Sequence, residues 1–189
     1  MKQIKIIMIS ILFLGSTLEA QNKWSAEFRP GINFPAEDFK GSNIETGFGF
    51  EVTVGYRFME HLHTYLGWGN NTFSIEDSNM DFEENGYTFG LQFIHPLWIS
   101  EDLSYLFRLG AIYNHLKLED VNGELIDDSG HGLGWQIETG LDYVIGSNWS
   151  LRPSLRYRSL SRDIDVIQNQ TISMDLNYLS FGLGVSKSF

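Results

Sequence analysis

Hydrophobic and polar residues alternate along most of this chain with a period of two, in eight separate stretches. In the first, Trp24, Ala26, Phe28, Pro30, Ile32 and Phe34 share one face, with Ser25, Glu27, Arg29, Gly31 and Asn33 on the other. Gly47–Phe58 repeats this pattern with Phe48, Phe50, Val52, Val54, Tyr56 and Phe58 against Gly47, Gly49, Glu51, Thr53, Gly55 and Arg57. Leu62–Gly69, Tyr87–Phe93, Leu103–Asn114, Leu133–Tyr143, Trp149–Arg158 and Tyr178–Phe189 follow the same rule. Leu106 and Ile112 interrupt the polar face of the fifth stretch, and Lys187 interrupts the apolar face of the last. Alternation over such lengths predicts strands with one apolar and one polar face.

A soluble sandwich also alternates, but two features of the pattern oppose it. The polar face is dominated by Gly and Ser with a few Arg and Glu, which suits a narrow enclosed space, whereas a sandwich exposes a Lys-, Glu- and Thr-rich face. The apolar face is unusually aromatic, with Trp and Tyr near strand ends, where interfacial girdles sit. Connection lengths agree. Pro35–Thr46, Ser74–Gly86, Glu119–His131 and Leu160–Asp175 are long, and Met59–His61, Pro96–Asp102 and Ile145–Asn148 alternate with them as short ones. Long external loops and short periplasmic turns give that rhythm, and Greek-key crossovers do not. The predicted fold is all-β: an eight-stranded antiparallel up-and-down transmembrane β-barrel with both termini periplasmic.

Composition adds restrictions. The 189 residues include 19 Gly, 14 Phe, 8 Tyr and no Cys, so a disulfide scaffold and a Cys-based metal or redox site are excluded. Lys2 and Lys5, the apolar run Ile6–Leu14 and the small residues ending at Ala20 read as a secretory signal peptide over 1–20. The run is too short to span a bilayer as a helix. The expected mature domain, 21–189, keeps 11 basic and 23 acidic residues, a net charge of −12. Nucleic acid is not an expected partner of so acidic a chain.

The signal peptide, the eight alternating stretches and the ending Tyr178-Leu-Ser-Phe-Gly-Leu-Gly-Val-Ser-Lys-Ser-Phe189 resemble the small outer-membrane β-barrel family. That family, built on the outer membrane protein beta-barrel domain, includes the OmpA transmembrane domain and OmpX. The resemblance covers essentially all of residues 22–189. It implies location in the outer membrane of a Gram-negative cell, and it says little about activity. It also implies that Phe181, Leu183, Val185 and Phe189 form the signal read by the barrel-assembly machinery. With the chain ending at Phe189, the peptidoglycan-binding domain of full-length OmpA-type proteins is not expected.

The inward face carries Glu27, Arg29, Glu51, Arg57, Arg108, Glu138, Asp142, Arg152, Arg156 and Arg158. An eight-stranded barrel is only wide enough for side chains to fill it, so these charges must be paired or hydrated. If a hairpin pairs Ile145 with Trp149, Asp142 falls opposite Arg152, Glu138 opposite Arg156 and Gln136 opposite Arg158. Two ion pairs from one register predict a lumen salt-bridge network. A structural or surface-interaction barrel with a filled lumen is the expected function. The alternatives are a narrow gated small-ion channel and a lipid-modifying enzyme. His115 and His131 are placed near the outer rim, with no serine set near them by a recognisable motif. His61 and His63 lack an obvious third metal ligand, so neither a metal nor another cofactor is expected. The acidic segments Ser74–Gly86 and Glu119–His131 read as solvated loops, or as sites of divalent-cation bridging to lipopolysaccharide. Asp120-Val-Asn-Gly-Glu124 lacks full calcium-loop spacing. The expected partners are outer-membrane lipid, lipopolysaccharide and, during insertion, the assembly machinery; the barrel is expected to be a monomer.

Overall fold

The computed structural model describes residues 23–36, 44–75, 80–120, 124–166 and 170–189, with backbone alone over 162–166 and 170–174. The expected signal peptide, Glu76, Asp77 and the centre of the Asp120–Glu124 motif lie outside the described residues. Nine strands form one antiparallel sheet: β1 (Trp24–Pro35), β2 (Gly47–Arg57), β3 (Leu62–Ser74), β4 (Met80–Pro96), β5 (Leu103–Asp120), β6 (Leu125–Asp128), β7 (Gly132–Gly146), β8 (Trp149–Val166) and β9 (Gln170–Ser188). Each of the eight long strands pairs with its neighbours in the chain, except that β5 passes over β6 to pair with β7. The ring closes between β1 and β9, from Ser25↔Ser188 to Pro35↔Tyr178. Closure leaves none of the eight long strands as a sheet edge, which satisfies the backbone inside a bilayer. The remaining strand, β6, folds back on the external end of β5. Pro30, which has no N–H to donate, falls in the one gap of the β1–β9 ladder, between Phe28↔Val185 and Gly31↔Gly182.

The eight alternating stretches are all strands, but several continue well past their predicted ends. Ser74–Gly86 and Leu160–Asp175 were expected as loops, and most of both is paired strand: β3–β4 runs to Ser74↔Asp81 and β8–β9 to Val166↔Gln170. Much of the Glu119–His131 loop is likewise ordered around β6. The physical reason is an inversion of the alternation. Within the belt, apolar side chains point out, as in Leu66, Trp68, Phe89, Leu91 and Leu109. Beyond it the same strands turn polar residues outward, including Thr72 and Ser74 on β3, Glu83 and Asn85 on β4, and Lys117 on β5. Their apolar residues now point in, and Phe73, Ile75, Phe82, Ile112, Leu116, Leu160, Leu176 and Tyr178 form a buried cluster. Water surrounds the barrel at this level, so the hydrophobic side goes to the interior. The cluster explains why Ile112 breaks the polar face of β5. At the boundary, Trp68 Nε1 donates to Asn85 Oδ1 at 3.1 Å, an interfacial indole with its polar handle satisfied.

Candidate functional site: the charged lumen

Alternation aims every second side chain of each belt segment into the lumen, and this interior is where most of the charged candidates meet. Glu27 lies 3.3 Å from Arg29, 2.5 Å from Arg108 and 2.8 Å from Arg152. Glu51 is held by Arg29 at 2.5 Å, Arg156 at 3.0 Å and Arg158 at 2.5 Å. Glu138 pairs with Arg29 and, at 3.4 Å, with Arg108. Asp142 pairs with Arg152 at 2.9 Å. Because each acid shares an arginine with the next, these contacts form one continuous chain across strands β1, β2, β5, β7 and β8. Glycines make room for it. A Cβ on Gly184 would meet Glu27 Oε1 at 2.6 Å, and one on Gly110 would meet the Tyr65 hydroxyl at 2.2 Å.

The β7–β8 register is as expected from Gln136↔Arg158 to Val144↔Ser150. Its turn differs: a bulge pairs Gly146, rather than Ile145, with Trp149, and Asn148 adopts a left-handed φ of 67°. Asp142–Arg152 is in contact, and Arg158 Nε donates to Gln136 Oε1 at 2.9 Å. Glu138 and Arg156 are backbone neighbours, yet their side chains do not pair. Glu138 reaches across the lumen to Arg29, and Arg156 to Glu51. A narrow bore offers cross-lumen partners that two-strand register cannot reveal. Arg57 stands apart, half-buried on β2 with no ion pair among the described residues.

Glu84 is the member that sequence reasoning misplaced. Assigned to an acidic loop, it is buried on β4, 2.9 Å from Arg158, and accepts hydrogen bonds from Asn114 at 2.7 Å and from the Tyr178 hydroxyl. Its even number on β4, in phase with Gly86, Thr88, Gly90 and Gln92, was the available signal. With Glu84 the buried acids Glu27, Glu51, Glu84, Glu138 and Asp142 match the buried arginines 29, 108, 152, 156 and 158 one for one. Among the described lumen residues, four buried polar atoms have no partner: Gln92 Nε2, Glu138 Oε2, Arg156 Nε and Ser186 Oγ. Beside Arg156 a cavity of about 10 Å³, lined also by Arg29, Asn71, Ser154 and Ser180, has room for about one water.

Apart from His63, the other candidates lie outside the lumen. Phe181, Leu183, Val185 and Phe189 all face outward, and Phe189 N donates to Trp24 O at 2.8 Å across the closing seam. Lys187 sits 5.2 Å from the Trp149 ring and 5.3 Å from that of Phe189, which accommodates a cation on the apolar face at the rim. His115 and His131 stack with ring centroids 4.6 Å apart, and His115 Nδ1 lies 3.0 Å from Asp128. The His61 and His95 rings are tilted by 44° with centroids 4.7 Å apart, whereas His63 sits on the inward face opposite Arg57 and Gln92. Among the described residues no three His, Asp or Glu side chains converge as metal ligands.

The fold is shared with solved outer-membrane barrels. Neisserial surface protein A matches with a TM-score of 0.67 and 15% identity, over 88% of this chain and 97% of that one. OprG from Pseudomonas aeruginosa matches at 0.59 and 14% identity, over 88% and 95%. Ail of Yersinia pestis, solved with the heparin analogue sucrose octasulfate, matches at 0.50 and 16%, over 88% and 97%. No curated relative matches the sequence. Residues 8–189 match the family model of the outer membrane protein beta-barrel domain, and the chain, which carries that fold in full, belongs to this outer-membrane family.

Proposed function

We propose that this protein is a non-conducting outer-membrane barrel with a structural or surface-interaction role. One observation carries the reading: the lumen is closed twice in series. The ion-pair chain fills the belt segment from Asp142 to Glu84, and the apolar cluster around Phe73, Phe82 and Leu116 covers its external end. An ion crossing it would have to separate buried pairs and then shed its water among apolar side chains, both costly steps. The surroundings this reading implies are lipid and lipopolysaccharide, with the assembly machinery engaging Phe181, Leu183, Val185 and Phe189 during insertion of a monomer. A sulfated polyanion of the kind bound to Ail does not suit the acidic external end of this chain. An enzymatic role has little support: Asp128 orients His115, but no hydroxyl is hydrogen-bonded to that ring among the described residues.

A second reading, the gated small-ion path, draws on Arg156 Nε and Glu138 Oε2, two unpartnered atoms on directly paired residues. A swing bringing them together would release Glu51 and Arg29 in part. Planar-bilayer recording separates the two. The closed barrel gives no steps, and it stays silent when Phe82 and Leu116 are both changed to alanine. Small, rare steps in the native protein that grow when Glu138 and Arg156 are truncated would establish the gated path. Stable steps of porin size would overturn both.

A further inference from the structure

At the periplasmic end, the inward face holds a group of hydrogen-bond donors with no acceptor of their own. Register places Arg57, His63, Gln92 and Arg108 side by side on β2, β3, β4 and β5. Among the described residues the five buried acids of the lumen are matched by five other arginines, and Arg57 forms no ion pair. Gln92 is the second donor. Arg108 Nε donates to its Oε1 at 2.6 Å, and because arginine only donates, this bond fixes which end of the amide is oxygen. The other end, Nε2, is buried and unpartnered on a residue 2% exposed. His63 stands between the two. Arg57, Arg108 and Arg152 act on its ring together with one acid, Asp142, which is already held by Arg152 at 2.9 Å.

Two strand spacings separate Arg57 from Gln92, about 10 Å between backbones. The wall curves around the lumen, so the two side chains lean toward one another over His63. One small ion seated there lies within reach of both. The way in is from the periplasm. Arg57 also lines a cleft of about 360 Å³ with Lys23, Phe58, Met59 and Glu60. Arg57 N donates to Lys23 O at 2.7 Å, which sets the two cationic residues side by side at the β1–β2 end. Glu60, the acid on this wall, is almost fully exposed and lies 3.9 Å from His61 Nε2.

We propose that Arg57, Gln92 and Lys23 form a binding site for a small oxyanion of the phosphate class, entering from the periplasm. A guanidinium gives two parallel N–H donors that match two oxygens of such an anion. Gln92 Nε2 serves a third, and the Lys23 ammonium adds charge at the entrance. These donors lie on the lumen side of the wall, away from lipid, so the ligand is a free anion and not a phospholipid headgroup. The test uses the whole folded barrel in a maltoside detergent, which carries no phosphate. Sodium phosphate replaces sodium chloride at constant ionic strength while the Gln92 side-chain amide and the His63 ring are followed by NMR. One saturable set of shifts at these two residues is expected. Arg57→Gln is expected to weaken binding about tenfold or more, as for loss of a hydrogen bond to a charged group. Gln92→Glu keeps an acceptor for Arg108, gives Arg57 a carboxylate of its own and should abolish binding, read at His63. Lys187→Gln removes a cation at the same end but on the outward face and should change nothing. Absence of saturable shifts, equal affinity in Arg57→Gln, or equal loss in Lys187→Gln overturns the site. Shifts produced by phosphatidylglycerol added to the micelle, and not by free phosphate, do so too, because they would give the site to a lipid headgroup. Folding of each variant is checked by its gel mobility before and after boiling, and either lumen variant alone carries the measurement.

Discussion

At the residue scale, the buried acids of the lumen take arginine partners from across the barrel: Glu138 meets Arg29 on β1, and Glu51 meets Arg156 and Arg158 on β8. Which side of a strand a residue occupies depends only on parity within its own stretch, so Glu27, Arg29, Glu51 and the β8 arginines could be placed from the sequence. Whether Glu138 meets Arg156 or Arg29 depends on how far the wall curves, and that is fixed only when β1 closes on β9. The pairs found here give two measurable consequences. Removing one partner of a buried pair costs about 3–5 kcal/mol, and less where water replaces it. Glu84→Ala, which leaves Arg158 and Tyr178 short of an acceptor, is therefore expected to lower unfolding stability in detergent by up to that amount. Glu83→Ala, on the outward face of the same strand, loses only part-exposed contacts to Asn70 and Lys117 and is expected to cost about 1 kcal/mol or less. Equal effects would remove Glu84 from the network. In double-mutant cycles Arg156 is expected to couple to Glu51 by about 0.5–3 kcal/mol. A larger coupling to Glu138 would restore the simple cross-strand pair.

At the element scale, the sequence hid strand length because the alternation changes sign rather than stopping. Segments such as Thr72–Ser74 and Asp81–Glu83 carry polar residues outward and a phenylalanine inward, which reads as loop to any rule expecting apolar residues outside. On β3, β4 and β5 the inversion marks the membrane boundary, and it can be tested on β3. An arginine on the lipid face costs about 2–4 kcal/mol at the bilayer midplane and about 0–1 near the interface. Leu66→Arg is expected to show the first cost and Thr72→Arg, on the same face, the second. Equal costs would put the boundary elsewhere. The short strand β6 has its own signature. Partial burial raises the Asp128 carboxyl, but the Gly130 N–H at 2.8 Å and the His115 ring outweigh it and hold the carboxyl below its ordinary value. A depressed folded value means the clip is fully present above the unfolded value near about 4 and is lost as pH falls through the folded one. Protection of the Gly130 amide, relative to its intrinsic exchange rate at each pH, should therefore persist down to about pH 4 and be lost below it. Loss of protection already near about pH 6 would remove the Asp128 carboxylate from the clip.

At the scale of the whole molecule, the barrel itself was readable because strand number, rhythm of connections and girdle aromatics all point to one closed sheet. The distribution of charge only becomes clear once that sheet is closed. The sequence segments 36–46, 75–86, 115–131 and 161–177, which join strands that end on the external side, hold 15 acidic residues besides the buried Glu84, against Lys40, Lys117 and Arg162. That is a net −12, the entire charge expected of the mature chain. The lumen is balanced apart from Arg57, and the periplasmic end sets Lys23 and Lys187 against Glu60, Glu101 and Asp102. The molecule is thus charged at one end, and its long-range field should select cationic partners and reject anionic ones. At about 0.01 M salt, where screening extends over about 30 Å, the folded protein in neutral detergent is expected to bind immobilised polylysine and to pass through heparin. Neutralising Asp81, Glu83, Glu119 and Glu124 should weaken retention on polylysine, and neutralising Glu60, Glu101 and Asp102 should change it little. Retention should fall as salt approaches about 0.15 M, where the screening length is about 8 Å. Binding to heparin at low salt, or equal loss from the two sets of substitutions, would show that the field is not concentrated at the external end.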